Sequence, residues 1–243
     1  MVLPQREVEA FLAVIGPPSP ADASVALNRP FVTVSFAQSL DGSLSATGGV
    51  KTKLSGPDSF VLTHALRSVH DAILVGIGTV RADDPRLTVR EWTGPDPVPV
   101  ILDTSLQTPS TARFLARKTY TGNDDGTRRP VVFYRDEPED PERDARKLAL
   151  ETAGARCISV HPRGILDVLA ELAGLGISSV MVEGGAGVIA SFLAARCVDR
   201  VVVTVAPRFL GGYRYAPPPV ALGTPRYARL GDDVIVAGEP VWR

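Results

Sequence analysis

The sequence predicts an α/β fold, a single domain with a mixed, mostly parallel sheet flanked by helices. Three observations predict it. Strand-like and helix-like patterns alternate over about 200 residues. Apolar runs rich in β-branched residues are closed by glycine, as parallel strands buried on both faces require. The chain then ends in two short apolar runs around Gly231-Asp232-Asp233, which read as a hairpin and an antiparallel edge.

The elements follow in order. Residues 1–28 form an N-terminal arm with one amphipathic stretch, Val8 to Ile15, before Gly16-Pro17-Pro18 stops any helix. The arm is expected to pack on the main domain or on a partner subunit, and residues 29–243 form that domain. Phe31 to Ala37 reads as a buried strand, followed by a turn at Ser39-Leu40-Asp41-Gly42. Pro57 suits the first turn of a helix running to about Val69. Asp71 to Ile77 is the next strand, with a short helical turn over Gly78 to Ala82. Val98 to Leu102 is a strand, Ser110 to Ala116 a short helix and Pro130 to Tyr134 a strand. Pro141 to Ala153 is a helix with Glu142 in its first turn and Gly154 past its end. Arg156 to Val160, Ile165 to Leu175, Ser179 to Glu183 and Gly187 to Arg196 repeat the alternation. Val198 to Ala206 is apolar almost throughout and is expected near the sheet centre. Tyr227 to Leu230 and Val234 to Val236 make the hairpin.

Composition narrows the function classes. The 243 residues carry 26 Lys plus Arg against 27 Asp plus Glu, a net charge of -1, without the basic excess of a general nucleic-acid binder. Hydrophobic residues at 44% and charged residues at 22% are those of a globular chain. Cys157 and Cys197 form no Cys-x-x-Cys pair, and His64, His70 and His161 have no zinc-hydrolase spacing, so neither a disulfide framework nor a metal site is expected. The first fifteen residues hold Arg6, Glu7 and Glu9 and lack the apolar core of an export signal. No run approaches the ~20 apolar residues of a membrane span. A soluble, cytoplasmic protein is expected.

Ligands of open α/β sheets gather where strands end and lead into helices. Three junctions qualify: Asp41-Gly42, Gly76-Ile77-Gly78-Thr79, and Glu183-Gly184-Gly185-Ala186-Gly187. The third fits either a tight strand-to-helix turn or a phosphate cradle, because glycine admits close approach and a helix start offers free amides. It matches neither Gly-x-Gly-x-x-Gly nor a P-loop. Asp83-Asp84-Pro85 fits either turn capping or a ribose contact. Arg67, Arg81, Arg86 and Arg90 lie near these junctions, and arginine suits a phosphorylated substrate. His64 reads as a surface or packing residue. His70 is placed to favour a helix C-terminus.

The segments Ser39-Leu40-Asp41-Gly42, Leu66 to Val80, Asp83 to Arg90, Ile101-Leu102-Asp103 and Val182-Glu183-Gly184-Gly185 together resemble the reductase domain of riboflavin biosynthesis. That family is similar in fold to dihydrofolate reductase. The resemblance implies NADPH-dependent reduction of a (di)amino-ribosylamino-pyrimidine 5′-phosphate to its ribityl form, of the 5-amino-6-(5-phosphoribosylamino)uracil reductase type. The alternatives are a same-fold reductase of another substrate such as dihydrofolate, or an inactive NADP-binding protein. Carried over by residue, the resemblance implies cofactor contacts at Thr79, Asp83, Thr104 and along Gly184, Gly185, Ala186, Gly187, Val188, Ile189, Ala190 and Ser191. It implies substrate contacts at Arg67, Leu87, Arg90 and Glu183, with Glu183 near the reacting end, and Asp41 either organising the turn beside the site or acting as a second catalytic candidate. Relatives often carry a Trp where this chain has Lys53, so Lys53 toward the cofactor and Lys51 toward the substrate are candidate phosphate ligands. The zinc-deaminase motifs His-x-Glu and Pro-Cys-x-x-Cys are absent, so a reductase without the deaminase is expected, as a homodimer using the C-terminal strands.

Overall fold

The computed structural model describes residues 4–17, 28–48, 50, 52–116, 129–135, 140–160, 164–214 and 219–242. Their strands are β1 (Phe31–Ser39), β2 (Ser43–Ser45), β3 (Ala72–Gly76), β4 (Val98–Leu102), β5 (Val131–Tyr134), β6 (Arg156–Ser159), β7 (Ser179–Val182), β8 (Arg200–Ala206), β9 (Tyr213–Arg214), β10 (Ala221–Leu230) and β11 (Asp233–Val241). The helices are α1 (Pro4–Ile15), α2 (Pro57–Ser68), α3 (Ile77–Asp83), α4 (Pro141–Thr152), α5 (Ile165–Gly174) and α6 (Ala186–Ala194). Nine strands form one sheet in the order β10-β11-β8-β1-β7-β3-β4-β5-β6. From β8 to β6 every neighbouring pair is parallel, and β11 joins β8 antiparallel. This is the mixed, mostly parallel α/β sheet that the alternation predicts.

Register sorts the side chains into two layers. Ile73 stands opposite Met181, so both point to one face. On that face Met181, Val202, Ile235 and Ala237 pack under α1 and α2, while Ile73, Val75 and Ile101 pack with Val80 of α3 and Leu150 of α4. The other face buries Val34, Leu74 and Val182 against Leu169 and Leu172 of α5 and Ile189 and Phe192 of α6. The near-continuous apolar strands β3, β4 and β7 are thus covered on both sides. Val8, Leu12 and Ile15 of α1 are buried in this core, so that helix packs on the main domain. Asp233 accepts the Gly56 N–H at 2.7 Å, capping the start of α2 where no local side chain does.

Several expectations need correcting. Residues 110–116 form successive turns, not a helix: Ala112 N–H bonds Pro109 O and Leu115 N–H bonds Ala112 O, while the Arg113 N–H is taken by the Asp84 carboxylate. The run Val198 to Ala206 yields β8, which is interior but third from one edge. The hairpin is longer than the pattern suggests, because a bulge between Gly223 and Arg226 carries β10 past Pro225. The small β2–β9 ladder has no sequence signature. Asp124 to Gly126, His161, Pro217 and Pro218 lie outside the described residues.

Candidate active site

The parallel strands all end at one edge, and between β3 and β7 the connections diverge. From β3 the chain passes through α3 to β4 on one side. From β7 it passes through α6 to β8 on the other. Such a point is where open α/β sheets bind ligands. Glycine builds it. A Cβ on Gly184 would lie 2.5 Å from Val188 Cβ, and one on Gly76 would lie 2.8 Å from Val188 Cγ2. Val188 therefore seats the start of α6 on the ends of both strands only because neither position has a side chain. At Gly78, Gly185 and Gly187 an added Cβ would meet nothing within 4 Å. Gly185 caps α6 without a side-chain hydrogen bond, so the first amides of that helix are left for another partner.

Glu183 follows β7 directly, and its carboxylate is gripped by Arg67 from α2. Nε donates to Oε1 at 2.7 Å and Nη2 donates to Oε2 at 2.6 Å, while Nη1 donates to Thr88 O at 3.0 Å. Burial alone would lower the Arg67 pKa, but the charge of Glu183 and its hydrogen bonds together outweigh it and the pKa is raised. Arg67 is 8% exposed. The sequence reading made it a phosphate ligand. Three of its five donors are instead committed within the protein, which makes it first the holder of Glu183.

The segment after α3 is irregular, with Asp84 and Leu87 at φ 39° and 54°. Leu87 is 2% exposed and packs in the core, so its side chain does not face a substrate, and any contact there would be through main chain. Arg86 and Arg90 are exposed, Asp83 and Thr79 half-buried on α3. Desolvation, then Arg67, Arg86 and Arg113, lower the Arg90 pKa, the mark of crowded positive charge. Arg113 had no sequence signal, lying 23 positions past Arg90 in what read as a helix. Arg81 turns away to Gln107 Oε1 at 2.9 Å.

Asp41 follows the end of β1, whose last residues pair with β8. Its carboxylate accepts from Ser39 Oγ, from Ser43 Oγ at 2.9 Å, and from the N–H groups of Leu210 and Gly211 at 3.0 and 2.9 Å. These bonds, the Ser39 hydroxyl foremost, hold its pKa far below the ordinary carboxylate range. These bonds tie the β1–β2 turn to the loop after β8, the turn-organising part expected for Asp41. Thr104, at the end of β4, is exposed, and its carbonyl accepts the Arg135 N–H. Lys53 is exposed, its carbonyl meeting Arg208 Nη1 at 3.5 Å. Lys51 lies outside the described residues. Ala186, Gly187, Val188, Ile189, Ala190 and Ser191 form the first turns of α6, where Ile189 is buried in the core and Ser191 Oγ donates to Gly187 O at 2.9 Å.

Both described histidines are buried. His70 Nδ1 lies 2.7 Å from Leu66 O and so carries the proton, which leaves Nε2 to accept from Thr33 Oγ1 at 2.8 Å. Burial drops its pKa to about 4, so it is a neutral core residue and not a charge at a helix end. His64 is a packing residue, 0% exposed. Among the described residues no cluster of His, Cys, Asp or Glu is placed to hold a metal ion, and no helix is long and apolar enough to cross a membrane.

Residues 30–232 match the family described as RibD C-terminal domain. The chain is 37% identical over 190 residues to a Methanothermobacter thermautotrophicus protein named 2,5-diamino-6-ribosylamino-4(3H)-pyrimidinone 5′-phosphate reductase, covering 76% of this chain and 81% of that one. A Saccharomyces cerevisiae protein of the same name is 36% identical over 202 residues, with 78% of each chain covered. Among solved structures, the Saccharomyces cerevisiae riboflavin biosynthesis reductase Rib7 superposes with a TM-score of 0.73 at 27% identity, covering 97% of this chain and 100% of that one. Acinetobacter baumannii RibD superposes with a TM-score of 0.73 at 24% identity, and the chain spans 60% of its length.

Proposed function

The chain belongs to the family of the RibD C-terminal domain, and on that premise we propose that it uses NADPH to reduce 2,5-diamino-6-ribosylamino-4(3H)-pyrimidinone 5′-phosphate to its ribityl form in riboflavin biosynthesis. The observation that carries the reading is the edge between β3 and β7. Two glycines there admit Val188 and seat the start of α6, and Arg67 holds Glu183 beside the opening. These residues fit a dinucleotide. The uncapped start of α6 (Gly185, Ala186, Gly187) suits its phosphates, with Ser191 one turn on and Thr79, Asp83 and Thr104 across the opening. Lys53, exposed in the loop before α2, is a further cofactor candidate, and Lys51 remains a substrate candidate.

Bound there, the reduced nicotinamide supplies the hydride. The chain's own residues do the rest. Glu183, fixed on both oxygens by Arg67, presents a carboxylate of set orientation to the pyrimidine. Arg90, with Arg86 and Arg113 close by, offers uncompensated positive charge to the 5′-phosphate. Asp41 keeps the two loops at the ends of β1 and β8 joined. Holding the ribosyl carbon at reacting distance is where such a site gains rate.

The proposed assembly is a cytoplasmic homodimer. Val205, Val236 and Tyr227 share a sheet face with Val234. Tyr227 is 68% and Val234 45% exposed.

The test is NADPH oxidation followed at 340 nm with the diaminopyrimidinone phosphate, its deaminated uracil counterpart and dihydrofolate as parallel substrates. The expected order is rapid turnover with the first, slower with the second and none with the third. Turnover of dihydrofolate alone, or of none of them, overturns the proposal.

A further inference from the structure

The segment Thr88–Arg90 lies outside any strand, yet each of its main-chain groups that faces the protein is held by a side chain. Thr88 O accepts from Arg67, Val89 N–H donates to Asp96 Oδ1 at 2.6 Å, and Arg90 N–H donates to His64 Nδ1 at 2.9 Å. No sheet ladder fixes this stretch, and Asp84 and Leu87 just before it sit at positive φ. Those three anchors therefore help to set its position. Two of them, His64 and Arg67, stand one turn apart on α2.

We propose that His64 is a positioning residue for the substrate phosphate: by accepting the Arg90 N–H it fixes the backbone from which the Arg90 guanidinium reaches the anion. This rests on the reading that Arg90 meets the 5′-phosphate.

The ring is itself held. His64 is 0% exposed, and Phe60 meets it edge-on, with centroids 4.6 Å apart and planes at 72°. Further along α2 a Cβ on Gly94 would lie 2.5 Å from Ser68 Cβ, so the whole 88–94 segment lies against this side of the helix. Since Nδ1 accepts, the proton is on Nε2, and the imidazole does its work only when neutral. A protonated ring would offer Arg90 no lone pair and would face the charges of Arg67 and Arg90. Burial, reinforced by those two arginines, drives its pKa down to about 3, so the acceptor is present throughout the physiological range. The Nε2 hydrogen has no acceptor among the described residues. A buried donor left unpaired costs free energy, so stability alone does not account for a histidine here.

The experiment compares steady-state kinetics of His64→Leu, His64→Asn and Arg90→Ala on the phosphorylated substrate and on its dephosphorylated riboside. Asparagine keeps an acceptor near the Nδ1 position and leucine does not. The expected result is a KM for the phosphorylated substrate raised roughly five- to tenfold in His64→Leu, the size of one hydrogen bond. The NADPH Kd and the KM for the riboside stay unchanged, and most of the loss is recovered in His64→Asn. Should His64→Leu prove too unstable to assay, His64→Phe keeps the ring volume without the acceptor. If Arg90→Ala raises KM selectively while the His64 variants leave it unchanged, or shift both substrates alike, the positioning role is wrong and the phosphate reading stands. If Arg90→Ala itself leaves KM unchanged, the phosphate reading falls and takes this inference with it.

Discussion

Arg67 and Glu183, 116 positions apart, meet in two parallel hydrogen bonds of 2.7 and 2.6 Å at the end of β7. The pair joins the last turn of α2 to the sheet edge where the ligand is proposed to lie. Both side chains are largely buried, at 9% and 16% exposed. Breaking such a pair strands the remaining charge, while removing both partners relieves it. Glu183→Gln is expected to lower turnover ten- to a hundredfold, about 1.5–3 kcal/mol, with little change in NADPH Kd. Arg67→Met is expected to lower stability by a similar amount. The double variant should be clearly less destabilised than the sum of the two singles. A urea-unfolding cycle measures this, and strict additivity would remove the coupling.

Gly184→Ala places a methyl group 2.5 Å from Val188 Cβ. The start of α6 must then lift off the ends of β3 and β7. The expected outcome is a loss of about 1–3 kcal/mol in stability and at least a tenfold weaker NADPH Kd by fluorescence titration. Gly185→Ala, where the added Cβ meets nothing, should leave stability near wild type. Equal effects at the two positions would contradict the packing account.

Asp41→Asn keeps the shape but gives one end of the side chain N–H groups that face the donors of Ser43 and Gly211, or of Ser39 and Leu210. The loops after β1 and β8 should separate, with faster amide exchange at Leu210 and Gly211 and a reduced kcat. A bell-shaped pH–rate profile that loses its acid limb in this variant would instead restore Asp41 as a proton carrier.

How much of this was legible in the sequence varies by residue. The strands β3, β4 and β7 announce themselves because both their faces are buried, and Gly76 and Gly184 mark the junctions because close approach excludes a side chain. The ion pair had no such mark. Arg67 and Glu183 are distant in the chain, and each alone read as a substrate ligand. The sequence predicts a helix over 110–116, whereas the deciding interaction, Asp84 with the Arg113 N–H, is long-range. The ladder of β2 with β9 is too short for any periodicity. Asp41 reads from sequence as a turn organiser or a catalytic candidate, and the five donors converging on its carboxylate support the first.

His70 links stability to pH. Burial lowers its folded pKa to about 4 from an ordinary 6.5, so between those values the unfolded chain binds a proton that the folded chain refuses. Stability is therefore full above pH 6.5 and falls as the pH drops toward 4, by up to about 1.4 kcal/mol per unit for this proton. His64, lowered to about 3, adds a second proton over the same range. In His70→Gln the slope of unfolding free energy between pH 4.5 and 6.5 should drop by one proton. An unchanged slope would mean that His70 is protonated in the fold.

The face bearing Tyr227 and Val234 is expected to be buried between two copies. Val234→Arg should convert a dimer to a monomer by sedimentation velocity while the fold is kept. A wild-type chain that sediments as a monomer at micromolar concentration would reject the assembly.

The most direct measurement is the fate of the transferred hydrogen. With NADPH deuterated at nicotinamide C4 on one face or the other, one of the two labels should appear at C1′ of the ribityl product, read by mass and proton spectra. Product formed with no deuterium from either coenzyme, or deuterium found elsewhere in the product, would contradict the account.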